Sequence, residues 1–264
     1  MLTIQGLGKT FNKGSVNERV ALENISFTLS EGDFVTVIGG NGAGKSTLLN
    51  AIAGVYPIDC GSILIDGTDV TRLPEHKRAK LLGRVFQDPM MGTAASMGID
   101  ENLALAMRRG TKRCLRWGVP TKERESYKST LGALGLGLET RLTAKVGTLS
   151  GGQRQALTLI MATIKRPRVL LLDEHTAALD PHTAQKVMEA TDKIIRDNKL
   201  ITLMVTHNMK QALAFGNRLI MMDKGSIILD IPESEKRQLS VQDLMDKFAQ
   251  ASGESLATDR VLLA

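Results

Sequence analysis

The stretch Gly39-Gly40-Asn41-Gly42-Ala43-Gly44-Lys45-Ser46-Thr47 constrains this chain more than any other. It places four glycines in six positions, between the apolar run "FVTVI" and the Leu/Ala-rich "LLNAIAG". Glycine reaches backbone angles that other residues avoid and lets a ligand come close to the chain. Successive N–H groups can then face inward as an anion nest, and a helix beginning near Lys45 adds its positive end. The spacing fits G-x-x-x-x-G-K-[ST], in which the lysine serves terminal phosphates and the hydroxyl, here Ser46, suits Mg²⁺. A strand before and a helix after complete the context. The implied ligand is a nucleoside triphosphate with Mg²⁺.

Short apolar runs predict strands at 2–5, 20–29, 33–38, 62–65, 82–86, 168–172, 200–205, 218–222 and 226–230. "VLLLD" and "ITLMVT" are apolar on consecutive residues, as strands buried on both faces are. Helical patterns at 45–53, 181–197 and 208–215 follow such runs, so a mostly parallel α/β sheet is expected. The strands ahead of the glycine loop read as an antiparallel hairpin. From about 95 to 165 the pattern turns helical, as an inserted subdomain would. Ser240 is the expected N-cap of a last helix, followed by a polar tail.

A second feature narrows the chemistry. Asp173 and Glu174 end the strand "VLLLD", and strand carboxyl ends face the ligand crevice in open α/β sheets. Asp173 can hold Mg²⁺ through water, and Glu174 can activate an attacking water. That pairing fits hydrolysis better than transfer to a second substrate.

With the glycine loop and "LLLDE", the stretch "TLSGGQRQAL" resembles the signature of ATP-binding-cassette (ABC) ATPases, and the likeness spans roughly residues 1–230. It implies a P-loop, RecA-like α/β core with an antiparallel β subdomain and a helical subdomain. The ATPase domain would cover 1–235, with the helical part at about 90–165, and 236–264 would form a C-terminal helix and polar tail. In a head-to-tail dimer of such cassettes, Ser150, Gly151, Gly152 and Gln153 of one chain meet the nucleotide on the other chain's loop. ATP closes the dimer and hydrolysis reopens it. Ser150 is also a good helix N-cap, so the signature helix offers its own positive end.

The resemblance assigns further roles. Phe11 matches the adenine-stacking aromatic, with a plain core Phe as the alternative. Gln87 matches the glutamine that reaches Mg²⁺ and the attacking water. Asp180 matches the aspartate of the loop crossing the dimer interface, and His207 the switch histidine at the γ-phosphate. The segment "DPMMGTAASMGIDENL" matches the part that contacts the membrane partner. Two departures stand out. His175 replaces the usual proline after Glu174, either as a tolerated structural change or as a pH-sensitive neighbour of the carboxylate. Gly40 stands where bulkier residues are common, and its chemistry should be unaffected.

The bulk properties agree with an anionic ligand: the net charge is +6. Aromatics are only 3%, which argues against base-stacking recognition of nucleic acid. No run approaches the ~18 apolar residues of a membrane span, so membrane work would pass through partners. The basic stretch Arg108, Arg109, Lys112, Arg113, Arg116 reads as a solvated charge run or as a contact for anionic lipid. The single cassette resembles the stand-alone, prokaryotic importer type, and His175 a branch serving amino-acid-like solutes. The implied partners are a second cassette (the same chain or a paralogue), transmembrane permease subunits and an extracytoplasmic solute-binding protein, with the chain peripheral at the cytoplasmic membrane face. No nucleic-acid partner is expected. A soluble cassette ATPase acting on DNA, ribosomes or a protein-assembly scaffold is the alternative.

Overall fold

A computed structural model describes residues 1–111 and 118–252. The strands are β1 (Leu2–Phe11), β2 (Arg19–Leu29), β3 (Phe34–Ile38), β4 (Cys60–Ile65), β5 (Thr68–Asp69), β6 (Leu82–Val85), β7 (Val169–Asp173), β8 (Ile201–Val205), β9 (Arg218–Asp223) and β10 (Ser226–Pro232). The helices are α1 (Lys45–Ala53), α2 (Glu75–Arg78), α3 (Ile99–Met107), α4 (Thr121–Gly132), α5 (Gly151–Thr163), α6 (Pro181–Asn198), α7 (Met209–Ala214), α8 (Glu233–Lys236) and α9 (Val241–Ser252).

Two sheets form. One has the order β2-β1-β4-β5 and is antiparallel; the other runs β10-β9-β3-β8-β7-β6. In the second, β3 pairs in parallel with β8 and β9, and β7 with β8 and β6. Only the β9–β10 hairpin is antiparallel there. The expected mostly parallel sheet and early antiparallel hairpin are both present.

Sequence alternation explains why α1 lies between the sheets. Val169 and Leu171 on β7 share a buried cluster with Leu48, Leu49 and Ile52 of α1 and with Leu2, Ile4 and Ile63 of the first sheet. Leu170 and Leu172 point the other way, into a cluster with Leu159 of α5 and Met188 and Ile195 of α6. A strand apolar on every residue therefore serves two cores. On α6 the buried residues Ala184, Val187, Met188, Thr191 and Ile195 fall on one helical stripe.

The α3–α5 region has its own buried cluster, including Leu103, Tyr127, Leu131, Leu149, Leu157 and Ile160. Between α4 and α5 the chain runs through two single 3-10 turns, where the sequence pattern reads as more helical than it is. The last helix packs Leu244 with Met209 and Ala212 of α7. Ser240 caps it as expected: Asp243 N–H donates to Ser240 Oγ at 3.2 Å, and Ser240 N–H to Asp243 Oδ2 at 2.8 Å.

Strand β1 runs past the expected 2–5 to Phe11, and its pairing with β2 shifts register three times between Ile4 and Thr10. Register slips destroy the alternation that marks a strand in sequence.

Candidate functional site

β3, buried at all five residues, delivers the chain to the glycine loop at the carboxyl end of the sheet. Gly39, Gly42 and Gly44 have φ of 152°, 81° and 100°. A Cβ at Gly39 would stand 2.1 Å from Met222 O, and one at Gly44 2.5 Å from Ala21 O. Glycine is obligatory there for two reasons, angle and space. At Gly40 a Cβ would meet nothing within 4 Å, which explains why larger residues suit that position in similar loops. The neighbouring strands tie the loop down: Gly225 N–H donates to Ala43 O at 3.1 Å, and Arg19 Nη2 to Gly42 O at 3.1 Å. Asn41 and Ser46 are exposed, and Thr47 is half-buried.

Lys45 opens α1 and is buried at 8% exposure. Its Nζ donates to Gly39 O at 2.7 Å and Gly40 O at 3.0 Å. Burial pushes the ammonium pKa down, while the Glu174 and Asp173 charges push it up. The other end of α1 is held by a group that sequence reasoning missed. Arg78 is 2% exposed, and its Nη1 donates to both Ala51 O and Ile52 O at 2.8 Å. Its Nε donates to Leu73 O at 2.8 Å and its Nη2 to Thr71 O at 2.9 Å. A cation at the last carbonyls complements the helix dipole. In the sequence Arg78 is one charge in "PEHKRAK", and nothing marks it as inward-facing.

At the end of β7 the carboxylates diverge. Asp173 continues the face of Val169 and Leu171, toward α1. Burial raises its pKa, while Arg84, Lys45 and a Ser46 hydrogen bond act against that rise. Glu174 then turns with φ 43°, a left-handed value that costs a non-glycine residue strain, and such strain gathers at functional sites. Its N–H donates to Val205 O at 3.0 Å. Its Oε2 stands 3.2 Å from His207 Nδ1, where β8 ends. The fold thus brings Lys45, Ser46, Asp173, Glu174 and His207 together from three separated segments.

His175 is 2% exposed, with Nε2 3.2 Å from Thr191 Oγ1. The Thr191 hydroxyl spends its one proton on Val187 O at 2.7 Å, so Nε2 carries the imidazole proton and donates it. Burial drives the pKa down to about 4. His175 is a neutral core residue packed on α6, in line with the tolerated structural change of the two readings rather than with a pH-sensitive neighbour of Glu174.

The signature starts α5. Gln153 N–H donates to Ser150 Oγ at 3.3 Å and Ser150 N–H to Gln153 Oε1 at 3.2 Å, a reciprocal cap. Gln153 Nε2 also donates to Leu136 O at 3.2 Å, so its side chain is engaged within the chain. A Cβ on Gly152 would lie 2.0 Å from Thr183 Cγ2. Gly152 is therefore needed for packing against the start of α6, a reason separate from backbone exposure. That start is capped by Asp180, whose Oδ1 accepts from Thr183 N–H at 3.0 Å. Among the described residues no hydrogen bond joins Ser150–Gln153 to the glycine loop.

Gln87 is exposed just past β6. Phe11 is half-buried, with Tyr56 edge-on at 5.2 Å between ring centroids and Lys9 Nζ 5.5 Å from its own. The basic stretch is not simply solvated where it is described. Arg108 donates to Ala104 O at 2.9 Å and Gly118 O at 2.8 Å and pairs with Glu123, and Arg109 donates to Ala162 O at 3.1 Å. Both guanidiniums cap and brace the helical region. Lys112, Arg113 and Arg116 lie outside the described residues.

For Mg²⁺ the donor set fits. Ser46 and Asp173 offer a hydroxyl and a carboxylate side by side, hard oxygens of the kind Mg²⁺ takes alongside substrate phosphates. Among the described residues there is no group of three or more His, Cys, Asp or Glu that would form an all-protein cage.

Fold and site together define a P-loop ATPase of cassette type. The ABC transporter family pattern matches residues 22–177, and the chain belongs to the ABC transporter family. Its relatives include the "Tyrosine transport ATP-binding protein" of Clostridioides difficile (strain R20291), 47% identical over 95% of this chain and 100% of that one. They also include "Methionine import ATP-binding protein MetN 2" of Enterococcus faecalis, 33% identical over 94% of this chain and 72% of that one. Among solved structures, the dimeric ATP-binding cassette MJ0796, in a post-hydrolysis state bound to ADP and Pi, matches with a TM-score of 0.75. Its identity is 28%, covering 88% of this chain and 99% of that one. The chain is thus an ATP-binding, ATP-hydrolysing subunit of a transport system. Among the described residues no helix is long and apolar enough to cross a membrane.

Proposed function

We propose that this chain powers the import of a small, amino-acid-like solute, docked at the cytoplasmic face of the membrane as one ATPase domain spanning residues 1–235. An extracytoplasmic solute-binding protein would deliver the solute. The support for the solute class is the tyrosine-transport relative, similar over its whole length. The observation that carries the hydrolytic mechanism is the Glu174–His207 pair beside Lys45 and Asp173.

Each group has a task that its geometry suits. The backbone N–H groups of Gly39–Gly44 and the Lys45 ammonium bind the phosphates. Lys45 is paired to the loop carbonyls and can turn from them to a phosphate. Ser46 and Asp173, with Gln87, would hold Mg²⁺, which when bound neutralises the charge on the terminal phosphates. Glu174 is aimed by its backbone turn and takes a proton from the attacking water. His207 holds the Glu174 carboxylate at 3.2 Å and reaches the γ-phosphate side. Phe11, propped by Tyr56, stacks on the adenine. In the dimer, Ser150, Gly151 and Gly152 present the α5 N-terminus to the partner's nucleotide, and Asp180 shapes the crossing loop. Gln153 supports this cap rather than touching the phosphate.

Uptake in a strain lacking the gene tests the reading. Wild type should restore uptake of labelled tyrosine or a related amino acid, and Glu174→Gln should not. Unchanged uptake of every amino acid, with loss of efflux instead, would overturn import.

A further inference from the structure

Arg84 occupies a place where the sheet calls for an apolar residue. It shares the α1-facing side of β6 with Leu82, which is in the central core. Its side chain is only 14% exposed. Nη2 donates to Asn50 Oδ1 on α1 at 2.8 Å and stands 3.8 Å from Asp173 Oδ2. The guanidinium carbon lies 4.4 Å from the Phe86 ring centroid, directly before Gln87. Its Nε finds no partner among the described residues. One guanidinium therefore touches the P-loop helix, the end of β7 and the arm that carries Gln87.

The charges around it balance. Asp173 and Glu174 act on Lys45, and Asp173 acts on Arg84, so two carboxylates face two cations. Exposed Glu75 adds a weaker pull on Arg84 from outside. An arginine keeps its charge at any working pH. Without it the buried site would carry one net negative charge and would repel phosphates. With it, an incoming Mg²⁺ at Asp173 meets a fixed cation close by.

The geometry points to Arg84 as a positioning residue that lessens the dependence of nucleotide binding on Mg²⁺. It holds Asp173 and stands in for part of the metal's charge, so this site should bind ATP without metal better than a neutral residue there would allow. By linkage, removing Arg84 weakens metal-free ATP binding most and raises by the same ratio the preference of Mg²⁺ for the nucleotide-bound protein over the free one. The inference rests on the glycine loop being the nucleotide site.

The experiment uses the full chain and a fluorescent ATP analogue, titrated in EDTA and again in saturating Mg²⁺. Arg84→Met and Arg84→Gln remove the charge, Arg84→Lys keeps it, and thermal melting identifies the folded variants. In either neutral variant that folds, affinity in EDTA should fall about tenfold more than affinity in Mg²⁺, a Coulombic effect at this range. Arg84→Lys should keep the wild-type ratio within about threefold, since its charge survives. An equal loss in both conditions, or no loss, overturns the inference and leaves the nucleotide site standing. A wild-type chain that binds the analogue in neither condition overturns both.

Discussion

Glu174 and His207 come from the ends of neighbouring strands β7 and β8, and their side chains meet at 3.2 Å, Oε2 to Nδ1. The left-handed turn at Glu174, φ 43°, makes the meeting possible, because an extended residue there would carry the carboxylate on along the strand direction. Glu174→Gln keeps the size and a hydrogen bond but cannot take a proton. ATP hydrolysis should fall by roughly 10²–10⁴-fold, the usual weight of general base catalysis. Binding should persist, and the variant should dimerise with ATP and not with ADP, as read by size-exclusion chromatography with light scattering. Hydrolysis at the wild-type rate would remove Glu174 from this role.

Lys45 is buried with its ammonium on two loop carbonyls. In Lys45→Ala the terminal phosphates lose their main cation, so equilibrium binding of labelled ATP should be lost at concentrations that saturate wild type. Near-normal affinity would place the phosphates elsewhere.

Gly152 touches Thr183 closely enough that one methyl group does not fit. Gly152→Ala should cost about 1–3 kcal/mol through overpacking between α5 and α6. Thr183→Ser removes the clashing Cγ2 and keeps the N–H that Asp180 accepts. The double variant should recover most of the lost stability in urea unfolding. If it melts no better than Gly152→Ala, the clash is not the cause.

Arg78 is a buried cation that makes four hydrogen bonds to carbonyls. Arg78→Met leaves those acceptors buried and unpaired, at about 1–3 kcal/mol for each one that cannot relax. We expect a loss of at least roughly 3 kcal/mol, with a lower melting temperature and weakened ATP binding, because α1 loses its C-terminal anchor. A melting temperature within a degree or so of wild type would show that the carbonyls find other partners.

His175 ties stability to pH. Its folded pKa is about 4, against an ordinary value of 6.5. Between those values the unfolded chain binds more protons, so stability rises with pH there. The contribution is complete above pH 6.5 and is lost as pH falls toward 4, by roughly 3 kcal/mol in all. Denaturant unfolding of wild type and His175→Leu at a series of pH values reads it as a difference in slope. Parallel curves would mean that the imidazole protonates inside the fold without penalty.

Sequence alone determined what local rules can determine. The glycine loop, the doubly buried strand "VLLLD" and the Ser150 cap each depend on residues close together in the chain, so spacing and residue type reveal them. The same holds for α1, legible to the residue, because a glycine bounds each end. The tertiary structure decided what depends on partners far away in sequence. His175 reads as a possible pH sensor until the fold packs it against Thr191 on α6. Gly152 looks like bare backbone until Thr183 arrives beside it. Arg78 and Arg84 look like ordinary surface charges, since a guanidinium's burial depends on carbonyls and carboxylates that other segments bring. The partner that completes Ser150's role lies beyond one chain altogether: a helix N-terminus is written in the sequence, but the phosphate it meets is placed by assembly.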